Sequence, residues 1–320
     1  MVYCQAKKLR EKTIAAYEQT LKLFVRWLEE EKNINKAEKI GEKTIQDYIL
    51  DLQQRGKYTW YVEDSNKAIN YPIRRRDYRK PISNCTINNY IRNLKVFFTW
   101  MVECEYIPQS PMRRVKALPE ERTPKEYLED DEVKKLLRNM DKSYYAEYRD
   151  LLIMMIMLDS GTRLGETLSV ENDQLNLIDQ CITLPADKTK GRKTRTVFFS
   201  SKTAKELRRW LQYRDRYCTS DYVFPIRHSG KMMTVSNYES NFRQYIRRAG
   251  IKKHISPHTL RNNYAKRCLL SGMDIYTLSR LLGHSSVSVT EQAYLDIADK
   301  ELKKRYCQFS PLDKIYSGSR

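Results

Sequence analysis

The sequence lacks the features that would place it in several large functional classes. It has only 10 glycines and 10 prolines in 320 residues, and no glycine-rich run of the kind that cradles a nucleotide phosphate. Its seven cysteines (4, 85, 104, 181, 218, 268, 307) are odd in number and scattered, with no CxxC pair. Neither a disulfide framework nor a zinc module fits that spacing, so reduced and mostly buried thiols of a cytosolic protein are expected. The longest uninterrupted apolar run, 151–158, is eight residues. Roughly 20 are needed to cross a bilayer, so an integral membrane protein is excluded. The opening stretch MVYCQAKKLR has no apolar segment behind its basic residues, and a secretory signal is not expected. There is no internal repeat and no low-complexity tract.

What is abundant is positive charge. Lysine and arginine total 59 against 40 acidic residues, a formal net charge of +19. With 41% hydrophobic and 11% aromatic residues the chain can build packed cores, so this charge belongs to folded surfaces. The length predicts two domains. Residues 1–120 carry 23 basic and 15 acidic groups, and the remainder carries 36 and 25. Two basic domains in one chain imply a partner long enough and negative enough to reach both. Nucleic acid is such a partner, because neutralising phosphates releases condensed counterions.

The first half reads as successive helices. In 12–30 the apolar residues Ile14, Tyr17, Leu21, Phe24 and Leu28 recur at steps of three and four. A short amphipathic helix is expected over 44–52. Another is expected over 85–105, with Ile87, Ile91, Leu94, Phe98 and Met101 on one stripe and Asn84 as its N-cap. Residues 56–83 interrupt this pattern as an insertion or long loop. There Arg74, Arg75, Arg76, Arg79 and Lys80 interleave with Tyr58, Trp60, Tyr61, Tyr71 and Tyr78. That mixture is either a solvated basic face or a nucleic-acid contact. Prolines 108, 111, 119 and 124 accompany Arg113, Arg114 and Lys116. Proline stiffens extended chain, so 113–124 is read as a linker between a domain at 1–112 and another at 125–320. In the second domain a helix starts near Asp130 and a strongly apolar one over 145–159 stops at Gly161. A β-hairpin with a basic tip at 188–193 occupies 181–200, and helices follow at 201–214, 237–248, 257–270 and 274–282.

Four histidines (228, 254, 258, 284) limit the proton chemistry available. His258 and Arg261 share one helix face, three residues apart, and read either as a capping imidazole beside a surface arginine or as a pair that holds a phosphate. Arg163, in SGTRLGE, has Glu166 three residues on, a structural ion pair or a fixed guanidinium. His284 follows Gly283, which ends a helix, and Tyr294 lies in VTEQAYLDI. The stretch DIYTLSRLLGHSSVSVTEQAYL also has the outline of a helix-turn-helix, a DNA reader without chemistry.

Taken in order, GTRLGE, TKGRKTRTV, HTLR and LGHSS, followed by Tyr294, resemble the tyrosine recombinase (phage integrase-like) family over nearly the whole chain. The resemblance implies a mainly α fold with a small β-hairpin in the catalytic domain. An all-helical core-binding domain would precede an α+β catalytic domain, the simpler two-domain form without an arm-binding domain. It implies that Tyr294 attacks a DNA phosphodiester and forms a covalent 3′-phosphotyrosyl link. Arg163 and Arg261 would clamp the non-bridging oxygens, His284 would donate a hydrogen bond to them, and His258 would assist proton movement. Lys190, with Arg192 and Lys193 as rivals, would protonate the leaving 5′-oxygen. One more residue separates His284 from Tyr294 than the family spacing has. Because the phosphotyrosine conserves the bond energy, no cofactor or metal is expected. Expected DNA contacts are Arg74, Arg75, Arg76, Arg79, Lys80, Arg113, Arg114, Arg192 and Lys193. Further implications are double-stranded DNA as partner, a homo-tetramer on two DNA sites with a tail from about 300 docked on a neighbour, and accessory bending or directionality factors. The setting would be the cytoplasm, for a bacterial or phage-encoded protein associated with the nucleoid, with integration or excision of a mobile element as the task. The alternatives are type IB topoisomerase-like relaxation and a DNA-binding regulator that kept the fold without the chemistry.

Overall fold

The computed structural model describes residues 2–60, 74–120, 126–189, 191, 193–284, 286–294, 306 and 312; of 289 and 292–294 it describes the backbone alone. The chain divides into two compact units, Met1–Thr123 and Pro124–Arg320.

The first unit is helical: α1 (Val2–Ala6), α2 (Glu11–Lys32), α3 (Glu42–Gln54) and α4 (Asn84–Glu103). The three- and four-residue spacing of its apolar positions puts Phe24, Trp27 and Leu28 of α2 against Ile45, Tyr48 and Leu52 of α3 and Ile87, Ile91, Leu94 and Phe98 of α4. Tyr48 is the hub, its ring 4.8 Å from that of Phe24 and 5.0 Å from that of Trp27. Burial pushes its phenol up to about 12.

Ser83, not Asn84, caps α4, its hydroxyl accepting from the Thr86 N–H. Asn84 is the first helical residue and turns its amide to the Pro119 carbonyl, 2.8 Å away. One turn on, Asn88 pairs with the peptide of Leu118. It accepts from the Leu118 N–H (2.8 Å), donates to the Leu118 carbonyl (3.0 Å), and donates to Glu120 Oε1 (2.7 Å). Residues 118–120 of the expected linker are thus held by the first unit through two asparagines. Residues 121–125, with Pro124, lie outside the described residues.

The insertion closes at its base. Gly56 pairs with Pro81 in an antiparallel bridge, Lys57 donates to the Lys80 carbonyl at 2.9 Å, and Arg79 donates to that of Lys57 at 3.0 Å. A Cβ on Gly56 would lie 2.4 Å from the Arg79 Cα, so glycine is what lets the two chains meet. Residues 61–73, including Tyr61 and Tyr71, lie outside the described residues.

The second unit is built around α6 (Tyr145–Ser160), whose buried residues occupy every side of the helix. Apolarity all round, rather than along one stripe, is what an internal helix requires. It packs against α8 (Ser201–Arg214), α10 (Pro257–Leu270) and the strand Arg195–Phe198. The remaining helices are α5 (Asp130–Arg138), α7 (Leu164–Leu168), α9 (Val235–Arg248), α11 (Ile275–Leu282) and α12 (Val287–Tyr294). The expected hairpin is present as β2 (Cys181–Leu184) and β3 (Arg195–Phe198), antiparallel with Cys181 opposite Phe198 and Leu184 opposite Arg195. A third strand, β1 (Leu175–Asn176), adds to the β2 edge. Two residues are too few to show an alternating pattern, which is why the sequence hid it. Asp159 near the end of α6 accepts from the Ser200 N–H, the Ser200 hydroxyl and the Thr203 hydroxyl, each at 2.7 Å, and so sets the start of α8.

No helix among the described residues is long and apolar enough to cross a membrane. Replacing Asn88 by alanine removes the three hydrogen bonds that hold 118–120. The expected result is a loss of about 1 kcal/mol in unfolding free energy by urea titration, with faster proteolytic nicking near 118. Nicking at the wild-type rate would show that the segment is held by other means.

Candidate active site

The chemistry-bearing residues of the second unit sit where helices start and stop. α6 ends at Gly161 in the left-handed region (φ +67°), and the chain turns through Thr162 to Arg163, the N-cap of α7. α10 starts at Pro257, which fixes the first helical φ, so that His258 and Arg261 fall in its first turn and a half. α11 ends at Gly283, again left-handed (φ +64°), and His284 follows directly. Thr290 and Tyr294 lie on α12 one helical turn apart.

Arg261 is 2% exposed, an unusual place for a permanent cation. Its Nη1 donates to the Gly161 carbonyl and its Nη2 to the Leu282 carbonyl, both at 2.7 Å. These oxygens belong to the C-terminal ends of α6 and α11, where unpaired carbonyls and the helix dipole present negative charge. Two helix ends therefore compensate one buried guanidinium. The same Nη2 lies 3.0 Å from Nε2 of His284.

A guanidinium can only donate, so Nε2 of His284 is the acceptor and the ring proton sits on Nδ1, which donates to the Thr290 hydroxyl at 2.7 Å. Burial, then the charges of Arg261, Arg163, Arg195 and His258, pull the imidazole down to about 4. The ring is neutral at pH 7. Donation from Nε2 to a phosphate, the role expected of His284, therefore requires a proton that the ring does not hold in this arrangement.

Arg163 is anchored by Glu166. The Arg163 N–H donates to Oε2 and Nη1 donates to Oε1, both at 2.9 Å. A second arginine, not foreseen from the sequence, shares the carboxylate. Arg195 Nη2 lies 2.5 Å from Oε2 and Nη1 lies 3.2 Å from Oε1. Burial alone would raise the Glu166 carboxyl. Hydrogen bonds and charge from Arg195, then from Arg163, hold it below its ordinary value, so it stays ionised. Arg195 opens β3 on the same inward face as Val197. A charged residue on the buried side of a strand was the available signal. Thr290 had none, since one threonine inside VSVTEQA looks like any other.

Of the expected site residues, Arg163, His258, Arg261 and His284 converge, with all three of the others acting electrostatically on the His284 ring. His258 is exposed and Arg163 partly so. Lys190 and Arg192 lie outside the described residues, as does the Tyr294 side chain. Their neighbours are placed. Thr189 is buried, and its hydroxyl accepts from the Lys193 N–H at 3.2 Å, drawing the two sides of the hairpin tip together. Lys193 is exposed, as are Arg74, Arg75, Arg76, Arg79, Lys80, Arg113 and Arg114. Arg75 stacks 4.2 Å above the Tyr58 ring. The tail from about 300 lies outside the described residues except 306 and 312. No cluster of three metal-ligating side chains occurs among the described residues.

The depressed His284 titration has a consequence for stability. The unfolded chain takes up this proton near the ordinary 6.5 and the folded chain only near about 4. The contribution is thus present above about 6.5 and lost as pH falls toward about 4. The Tm advantage of the wild type over His284→Gln should shrink across that interval. A constant difference would mean that the ring titrates normally.

Residues 126–301 match the phage integrase family, and residues 3–65 match the N-terminal SAM-like domain of phage integrases. The chain is 27% identical over 309 residues to tyrosine recombinase XerD of Listeria monocytogenes serotype 4b (strain F2365), covering 95% of this chain and 94% of that protein. Its fold is similar to the Tn1549 transposon integrase in complex with transposon right-end DNA (TM-score 0.70, 16% identity, 96% of this chain and 97% of the other). It is also similar to the XerH site-specific recombinase bound to palindromic difH substrate (TM-score 0.68, 18% identity, 94% and 80%). With the integrase match spanning more than half of its residues, the chain belongs to the phage integrase family, the tyrosine recombinases.

Proposed function

We propose that the chain is a site-specific DNA recombinase that cleaves and rejoins duplex DNA through a covalent 3′-phosphotyrosyl intermediate on Tyr294. The observation that carries this reading is the convergence of Arg163, Arg261, His258 and His284 from three separate helix termini around one imidazole.

A phosphodiester in this pocket would place its two non-bridging oxygens against the guanidiniums of Arg163 and Arg261. Both are aimed in advance, by Glu166 and by two helix ends, so little reorganisation is needed as charge grows in the transition state. The Tyr294 phenol, which ordinarily titrates at about 10, loses its proton as its oxygen bonds to phosphorus. His258, exposed at the start of α10, is the group offered to receive it. The bond from phosphorus to the 5′-oxygen breaks, and that oxygen takes its proton from Lys190. One P–O bond forms as one breaks, so neither a nucleotide nor a metal has to supply energy. A 5′-hydroxyl from a second duplex reverses the step and completes strand exchange.

The finer reading is a homo-tetramer working on two sites for a mobile element in the bacterial cytoplasm, with accessory bending or directionality factors. The exposed arginines and lysines of 74–80 and 113–114 would supply duplex contacts on top of a net charge of +19.

Nicked suicide duplexes cut from the DNA flanking the protein's own gene test the chemistry. The expected product is a covalent adduct that maps to Tyr294 and is absent in Tyr294→Phe. An adduct that survives that change overturns the assignment. Arg163→Lys and Arg261→Lys should each slow adduct formation by about 10²–10³-fold, since an ammonium cannot reproduce the planar fork. Incubation with two marked sites separates the alternatives. Recombinant joints support the recombinase, relaxation alone indicates topoisomerase-like action, and binding without an adduct indicates a regulator.

A further inference from the structure

We propose that Arg195 is a positioning residue for strand cleavage: it shares the Glu166 carboxylate with Arg163, so that Arg163 is oriented without its charge being cancelled. The inference rests on the cleavage chemistry proposed above.

Glu166 is 3% exposed, and its two oxygens receive four donors: the Arg163 N–H and Nη1, and Arg195 Nη1 and Nη2. A carboxylate has about four lone-pair sites, so this one is saturated and cannot swing away. Had Glu166 served Arg163 alone, the pair would be neutral. A phosphate approaching Arg163 would then feel a carboxylate some 3 Å behind the guanidinium, and most of the attraction would be offset. With Arg195 present the three groups sum to one positive charge. That charge is delivered through Arg163, whose side chain is 25% exposed where that of Arg195 is 10%.

Two further features tie Arg195 to the reacting groups rather than to the general core. It opens β3, the strand that leaves the hairpin tip bearing Lys190. It also lies against Gly283, where a Cβ would come within 2.9 Å of its Cδ and 3.0 Å of its Nε, and Gly283 immediately precedes His284. One side chain thus touches both the carboxylate that holds Arg163 and the glycine that precedes His284. Its Nε is buried and has no hydrogen-bond partner among the described residues, so the grip on Glu166 comes through Nη1 and Nη2 alone.

Single-turnover adduct formation on nicked suicide duplexes, read beside duplex Kd and Tm, tests the proposal in Arg195→Met, Arg195→Lys, Glu166→Gln and the double variant Glu166→Gln/Arg195→Met. Arg195→Met should cleave about 100-fold more slowly with Kd nearly unchanged, because Glu166 then offsets the Arg163 charge at the one reacting phosphate while the rest of the duplex is still held. Adding Glu166→Gln should recover about tenfold, because removing the carboxylate charge returns the net positive charge to Arg163. Arg195→Lys keeps the charge without the two-point grip and should fall between. A double variant no faster than Arg195→Met overturns the proposal, as does a wild-type rate in either single Arg195 variant. Should Arg195→Met not fold, a wild-type rate in a folded Arg195→Lys remains decisive. Absence of any wild-type adduct would instead overturn the functional reading, and this inference with it.

Discussion

A permanent positive charge buried where two helices end is the constraint around which the second unit is arranged. Arg261 cannot be neutralised by losing a proton, so its desolvation has to be met by fixed acceptors. The structure supplies the last carbonyls of α6 and α11, each brought to the spot by a left-handed glycine that stops its helix there. Because the guanidinium needs both ends, it fixes the relation of α6, α10 and α11. The residues that follow those ends, Arg163 and His284, are thereby placed as well. Packing and function share one anchor here: the bonds that make the cation tolerable also bring the other groups to it.

Around this anchor the charges are graded. Arg261 donates to two helix-end carbonyls, and Arg163 and Arg195 share one carboxylate that burial alone would protonate and their charges keep ionised. His284, surrounded by cations, is held neutral. The described charges of the site are therefore net positive. That suits a polyanionic substrate whose reacting oxygens gain charge in the transition state. Thr290 ties the imidazole to α12, so the tautomer of His284 and the placement of the helix bearing Tyr294 are coupled through a single hydroxyl.

The first unit solves a different problem. Three amphipathic helices meet on an aromatic hub at Tyr48, and periodicity alone set their extents to within a few residues. What periodicity did not foresee is polar. Ser83 rather than Asn84 caps α4, because Asn84 and Asn88 are turned toward 118–120 and serve as a template for that segment. An asparagine looks the same in a sequence whether it caps a helix or pairs with a distant peptide.

The longer helices, the hairpin, the overall charge and the order of Arg163, His258, Arg261, His284 and Tyr294 were legible in the sequence. Each of these is a local pattern of spacing, or a motif whose residues lie close together. Tertiary structure alone decided that Arg261 is buried between helix ends, that Arg195 joins Glu166, that Thr290 bonds the His284 ring, and that burial and the nearby cations keep that ring neutral. Those facts depend on which groups from distant segments meet and how much water is left between them. A one-dimensional pattern carries neither, because desolvation and hydrogen-bond partnership exist only once the chain has closed on itself.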